Sequence, residues 1–336
     1  MGLTRLYYQF KRFVPRRVRL VLRQIHARKI LKNCGEVWPI QESAGGKPPD
    51  WPGWPKGKKF ALVLTHDVEG QRGLDRVTQL AELEMNLGFR SSFNFVPEGE
   101  YTVPSTLRAW LTKRGFEIGV HDLRHDGHLY TSWKRFRRKA RVINNYLEEW
   151  NAAGFRSAFM LRNLDWIHEL NICYDASTFD TDPFEPQPHG VGTIYPFYVE
   201  GTNGRPGYVE LPYTLPQDST LFLLLKGRDV RRVWQQKLDW IAQRGGMALV
   251  NVHPDYVDFE GKSQALFSYP ADRYVEFLTW VKQKYSDEYW HIRPAEISKF
   301  MRSVVAAKAN PDQDVRRWQA SPSEAAPQTS EGYPAV

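Results

Sequence analysis

The sequence predicts an α/β barrel built on parallel strands. Strand-length apolar runs alternate with stretches of helical periodicity between residues 59 and 300, and repeated βα units imply a parallel sheet. About seven such units occur without a glycine-rich phosphate loop, which favours a barrel over a dinucleotide-binding sheet. Histidines and an aspartate fall where strands are predicted to end, the rim at which parallel barrels keep their active sites.

In chain order, residues 1–39 form a basic arm. Val18, Val21, Leu22 and Ile25 lie at i, i+3, i+4 and i+7, the spacing of one helix face, with Arg17, Arg19 and Arg23 beside them. Upstream, Leu3, Leu6, Tyr7, Phe10 and Val14 make a second apolar stripe. A basic amphipathic helix of this kind fits an anionic membrane surface, or the protein's own body with the arginines in solvent. Residues 40–58 are rich in Pro and Gly and read as a linker.

The barrel is expected over 59–303. Its first strand, 59–67, is apolar nearly throughout, as in a strand buried on both faces. Helix 74–87, strand 91–96, helix 104–114, strand 116–120, helix 132–150 and strand 155–160 follow. A short helix at 163–170 and a strand at 172–177 precede less regular β-prone stretches at 194–199 and 208–212. Helix 230–243, strand 247–253, helix 271–285 and a strand–helix pair over 290–300 complete the series. Residues 304–336 lose apolar periodicity, which predicts a disordered tail.

The net charge of +8 is local. Residues 1–33 hold ten Lys or Arg and no acid, leaving 36 basic and 38 acidic residues in the rest. A body near −2 without a recognition motif argues against nucleic acid as a partner. Cys34 and Cys173 form neither a metal-ligand spacing nor a disulfide framework. The longest apolar run, 221–225, is far too short to span a bilayer, and no apolar stretch follows the basic N-terminus as in a secretory signal. The expected location is cytoplasmic, peripheral on the inner face of the membrane.

The chemistry-bearing residues cluster by strand. His66 and Asp67 end the first strand, His121 ends the third in EIGVHDLRH with His125 four residues on, and His253 ends a late strand in ALVNVHPD. On a helical turn, His121 and His125 share a face and can reach one ion, with Asp67 as third ligand. Two imidazoles and a carboxylate leave a position for water, a catalytic zinc arrangement that also suits other divalent metals. Such an ion activates water and polarises a carbonyl.

The segments LTHDVE, EIGVHDLRH, GFRSAF and LVNVHPD resemble, in this order, the successive motifs of the NodB-like polysaccharide deacetylases (carbohydrate esterase family 4), across residues 59–300. The resemblance implies a distorted (β/α)7 barrel that removes N-acetyl groups from sugars with a divalent metal, zinc being the first expectation. It maps Asp67, His121 and His125 to the metal, His253 to the general acid, and Arg156 to the arginine that orients the base. Asp182, in STFDTDPFEP, falls near a cleft-lining motif of the family, and Asp122 stands where the family tends to have a small hydroxyl residue. Both are therefore candidates to contact substrate.

One departure bears on mechanism. The family usually carries paired aspartates at the end of the first strand, the first being the general base, and His66 occupies that place. His66 can itself be the base, its ordinary pKa near 6.5 being suitable. Alternatively, the water needs no strong base, or the protein binds without catalysing. Arg156 also lacks the proline that often follows the family's arginine. Among other candidates, His128 reads as an outer partner of the site or a surface group, and His291, Asp180 and Asp255 as structural. The expected function is deacetylation of an N-acetylated sugar in a surface polysaccharide, a lipid-linked glycan or a nucleotide-sugar precursor. The alternatives are a non-catalytic, metal-containing glycan-binding protein and a hydrolase of a non-sugar amide.

Overall fold

A computed structural model describes residues 15–34, 38–202, 204–227, 230–261 and 266–309. The upstream stripe from Leu3 to Val14 and most of the expected tail lie outside these residues. The main sheet holds β1 (Phe60–Val68), β2 (Ser92–Phe95), β3 (Glu117–His121), β4 (Gly154–Arg156), β5 (Tyr174–Asp175), β6 (Phe197–Val199), β7 (Tyr208–Glu210), β8 (Met247–Val252) and β9 (Tyr289–His291). Helices α1 (Arg16–Asn33), α2 (Val77–Leu87), α3 (Ser105–Lys113), α4 (Trp133–Glu149), α5 (Val230–Arg244), α6 (Asp272–Tyr285) and α7 (Pro294–Ala309) accompany it.

Strands β1, β2, β3, β4, β5 and β7 follow one another in parallel register, and β8 runs parallel along the other side of β1. β9 pairs with Phe60–Leu62 at the start of β1, and β6 is an antiparallel edge on β7. The ring closes irregularly between the chain after β7 and β8. Thr214 and Leu215 both donate from their backbone N–H to the Leu249 carbonyl at 3.2 Å, and Leu249 N–H donates to Thr214 Oγ1 at 3.0 Å. The curled parallel sheet is the distorted (β/α)7 barrel that the sequence predicted.

Side-chain alternation along β1 organises the molecule. Phe60, Leu62, Leu64 and Val68 face the helices and belong to the outer core, whereas Ala61 and Val63 face the barrel lumen. Met247 and Leu249 of β8, Val209 of β7 and Tyr174 of β5 share that lumen. Ile297, Phe300 and Met301 of α7 join the same cluster. Above this apolar floor the lumen turns polar. Thr65, Asn94, Arg156 and Asn251 all lie buried there. Two glycines make room: a Cβ on Gly119 would stand 2.1 Å from Asn94 Oδ1, and one on Gly154 would stand 1.9 Å from the Tyr174 ring.

The structure corrects three expectations. Residues 40–58 form a packed strap instead of a free linker. Ile194 N–H donates to the Ala44 carbonyl at 3.0 Å, Trp54 Nε1 donates to the Gly245 carbonyl at 2.8 Å, and Trp51 meets Tyr195 edge to face. Trp54, buried, and Trp51, half-buried, anchor a segment whose Pro and Gly had suggested freedom. Helix α7 continues to Ala309, so the first six residues of the expected tail, 304–309, are helical. The strand expected at 155–160 ends at Arg156, because Phe159 and Met160 adopt left-handed backbone angles and turn the chain. The apolar run at 221–225, unassigned from periodicity, lies in a π-helical segment, Ser219–Leu225.

Candidate active site

The ends of β1, β3, β4 and β8 bring their polar residues to one rim. Glu69, one residue past β1, His121 at the end of β3 and His125 in the following turn each place a ligand atom within 4.8 Å of the others. Glu69 Oε1 lies 3.2 Å from His125 Nε2. His121 Nδ1 donates to the Arg156 carbonyl at 3.0 Å, which leaves Nε2 as the lone-pair nitrogen. That Nε2 is buried and has no hydrogen-bond partner among the described residues. A buried imidazole with one nitrogen fixed by a carbonyl and the other aimed at a carboxylate and a second imidazole fits a metal ion. Left-handed backbone angles at Asp122 (φ 56°) and His125 (φ 51°) form the turn that brings His125 back beside His121. The ring of His125 rests on Phe159, 4.5 Å between centroids.

Asp67 sits deeper. Its Oδ1 accepts from Asn94 Nδ2 at 2.9 Å and Arg156 Nη1 at 3.1 Å, and its Oδ2 accepts from Asn251 Nδ2 at 2.8 Å. Burial pushes this carboxyl upward, but the charges of Arg156, His121 and His253 outweigh it and hold the group below the usual carboxylate range. Arg156 is itself fully buried. It donates to Ala176 O, Thr65 Oγ1 and Asn251 Oδ1 as well, which fixes its plane against Asp67.

His253 faces this pair from the end of β8. Its Nε2 stands 4.0 Å from Asp67 Oδ2 and 3.9 Å from Glu69 Oε1. Its Nδ1 pairs with Asp218 Oδ1 at 2.7 Å, and Asp218 Oδ2 accepts from the His253 backbone N–H and from Tyr269 Oη. Burial alone would lower the imidazole pKa. Asp218 first, then Glu69 and Asp67, raise it to about 10, so the ring carries a proton to give at neutral pH.

Three solved structures share this architecture. One, assigned as a polysaccharide deacetylase from Pseudomonas aeruginosa PAO1, matches 82% of this chain and 100% of its own, with a TM-score of 0.57 and 16% identity. A second, so assigned from Mycobacterium smegmatis, matches 75% and 93%, with a TM-score of 0.54 and 18% identity. The fold of the present chain is that of the NodB-like polysaccharide deacetylases. The Puue allantoinase is similar to the same extent, at a TM-score of 0.57 and 16% identity over 78% of this chain and 96% of its own. No protein-family model and no curated protein sequence matches the chain.

On this NodB-like barrel the expected site residues separate into groups. Asp67, His121, His125, Arg156 and His253 converge. The carboxylate that meets the two imidazoles, however, is Glu69, whereas Asp67 is engaged by Arg156. His66 is displaced from the rim altogether. Even-numbered positions of β1 point outward, so its ring is buried under α2. There Nδ1 lies 3.0 Å from the Val252 carbonyl and Nε2 lies 2.9 Å from Glu84 Oε1. Glu84 also accepts from Ser91 Oγ and Tyr274 Oη. Burial raises Glu84, but His66 and the hydrogen bonds from Ser91 and Tyr274 together outweigh this and hold the carboxyl below its ordinary value. With both nitrogens facing acceptors, His66 has no lone pair directed at a cleft water.

Asp122 is buried beside the cluster, its Oδ1 accepting from Leu123 N–H. Asp182 stands apart with Glu185. Tyr213 Oη lies 2.9 Å from Asp182 Oδ2 and 2.8 Å from Glu185 Oε1, and Gln217 Nε2 donates to Glu185. Burial raises Asp182 to about 6; burial and the neighbouring Asp182 raise Glu185 to about 8. His128 bonds to Asp126 at the surface, and His291 bridges Leu62 O and Arg90 N–H as a structural group.

Sequence reasoning missed Glu69, Asp218 and the clamp around Glu69. Asp255 accepts from the backbone N–H groups of Glu69, Gly70 and Gly73, and Tyr256 Oη donates to Glu69 Oε2 at 2.7 Å. Glu69 was findable, because Asp67 and Glu69 share the period-2 face of Thr65.

Proposed function

We propose that this protein is a metal-dependent deacetylase that hydrolyses the N-acetyl group of an N-acetylated sugar. The observation that carries the reading is the placement of three units on one rim: Glu69–His121–His125, Asp67–Arg156 and His253–Asp218. The two-imidazole, one-carboxylate set suits zinc with an open position. When bound, the ion would polarise the acetamide carbonyl and acidify water.

The chain's own residues supply the proton transfers. Asp67, held ionised by Arg156, removes a proton from the attacking water. As the C–N bond breaks, His253 Nε2–H delivers its proton to the departing amine, and Asp218 stabilises the imidazolium until then. Acetate and a free amine result. In this reading Asp67 replaces His66 as general base and Glu69 replaces Asp67 as metal ligand, so the feature that favoured a non-catalytic protein loses its force. Asp122 and the Asp182–Glu185 pair are assigned to the substrate side of the cleft.

Among carriers we favour a lipid-linked glycan precursor of surface-polysaccharide synthesis, with a nucleotide sugar as the soluble alternative. The basic N-terminal arm supports that choice, and a peripheral position on the cytoplasmic face is part of the same proposal. A non-sugar amide is the second reading, favoured by the likeness to an allantoinase. The test is acetate release from a panel of N-acetyl sugars and small non-sugar amides, before and after chelation and with zinc restored. Metal-dependent turnover of an N-acetyl sugar, abolished in Glu69→Gln, is expected. Turnover confined to non-sugar amides, or undiminished in Glu69→Gln, would overturn the reading.

A further inference from the structure

Helix α1 meets the body through Leu20 and Ala27, both buried, and through Gln24, whose Nε2 donates to the Leu223 carbonyl at 2.8 Å. Its other side is open. Val18 and Val21 are each 47% exposed, Leu22 is 54% and Ile25 is 59%. At helical spacing these four share a sector about 100° wide, opposite the face that packs on the protein. Arg28, Lys29 and Lys32 extend or border that stripe, Arg17 borders its start, and α1 contains no acidic residue. Contiguous exposed apolar side chains rimmed by charge mark an interaction surface.

We propose that this outward face of α1 docks the protein on an anionic lipid bilayer. The four apolar side chains would enter the headgroup–acyl boundary and the flanking cations would face lipid phosphates. Charge complementarity selects this occupant. A second copy would offer the same stripe, bordered by Arg17, Arg28, Lys29 and Lys32 and with no acid in α1 to neutralise those charges. No helix among the described residues is long and apolar enough to cross a membrane, so the mode is interfacial. α1 rests on the π-helical segment that follows Asp218, the partner of His253, and the charge of Arg23 reaches Glu185 and Tyr256. Docking through α1 therefore sets the cleft rim near the headgroups, which suits a lipid-linked substrate. Only that last step rests on the deacetylase reading.

The experiment is co-sedimentation of the full chain with vesicles of phosphatidylcholine alone or mixed with phosphatidylglycerol. Preferential, salt-sensitive binding to the anionic vesicles is expected. Leu22→Ser/Ile25→Ser should weaken it on the order of tenfold or more, and Arg28→Glu/Lys29→Glu should do likewise. Both variants should keep the wild-type unfolding temperature and turnover of a soluble N-acetyl sugar. Failure of the wild type to bind, or unchanged binding by Leu22→Ser/Ile25→Ser, would overturn the proposal. So would a wild-type dimer in light scattering that this variant converts to monomer. Absence of sugar turnover with vesicle binding intact would count against the deacetylase reading alone.

Discussion

His66 and Asp67 are consecutive in β1, and their side chains stand on opposite faces of the sheet. His66 is sealed between β1 and α2 against Glu84, whereas Asp67 lies in the lumen against Arg156. The pleat thus gives one residue to the core and the next to the site. The following lumen-side position, Glu69, supplies a second carboxylate with Val68 between them.

Asp67 and Glu69 should therefore fail differently. Asp67→Asn should lower kcat by about 10²–10⁴, the range for loss of a general base, while metal analysis finds the ion still bound. Glu69→Gln should release the metal under mild chelation. Metal loss in Asp67→Asn with full retention in Glu69→Gln would reverse the two assignments.

His66→Leu should act on stability. It leaves Glu84 buried without the imidazole that it faces at 2.9 Å, and removing one member of a buried pair costs about 3–5 kcal/mol. Denaturant unfolding should show that loss, while kcat of the folded fraction stays near wild type. A collapse of kcat without a stability change would restore His66 to the chemistry.

Asp218→Asn probes the acid. Asp218 is the main stabiliser of the charged His253 ring, whose pKa stands at about 10. Without it the imidazolium gives up its proton at lower pH. The alkaline limb of the kcat profile should move down, and His253→Ala should remove that limb along with most of the activity. An unmoved limb in Asp218→Asn would mean that another group sets it.

The Asp182–Glu185 pair predicts a pH-dependent stability. Glu185 titrates near 8 in the fold, raised by burial and Asp182, so the folded state keeps a proton that the unfolded chain has released. The wild type should lose stability as pH rises from the ordinary carboxyl value toward that of the folded group. Glu185→Gln lacks this loss. The melting temperature of the variant minus that of the wild type should therefore grow between about pH 5 and about pH 8; a flat difference would contradict the raised value.

Much of this was legible in the sequence. The βα rhythm predicted the barrel, strand ends located His121 and His253, and the four-residue spacing added His125, although a left-handed turn and not a helical one brings it beside His121. Arg156 was reached through the resemblance of GFRSAF, and its burial explains why it can fix Asp67 from the next strand but two. The phase of β1 was readable as well, since Phe60, Leu62 and Leu64 are larger than Ala61, Val63 and Thr65. Motif alignment instead set His66 in the place of an aspartate and overlooked Glu69. Asp218 was invisible because it lies 35 residues from its partner and precedes an unbroken apolar run with no amphipathic pattern. The strap was misread because Pro and Gly report backbone habit, whereas Trp51 and Trp54 decide where that backbone lies.

The strap runs over the seam where the chain after β7 meets β8 by only a few irregular bonds. Ala44 holds Ile194, which in turn accepts from Met247 N–H at the start of β8. A chain begun at Lys59 would thus be a barrel with an open stave, not a catalytic unit relieved of an appendage. The strap of residues 40–58 is part of the vessel wall, and attempts to trim the protein to its motifs would remove the hoop that keeps it round.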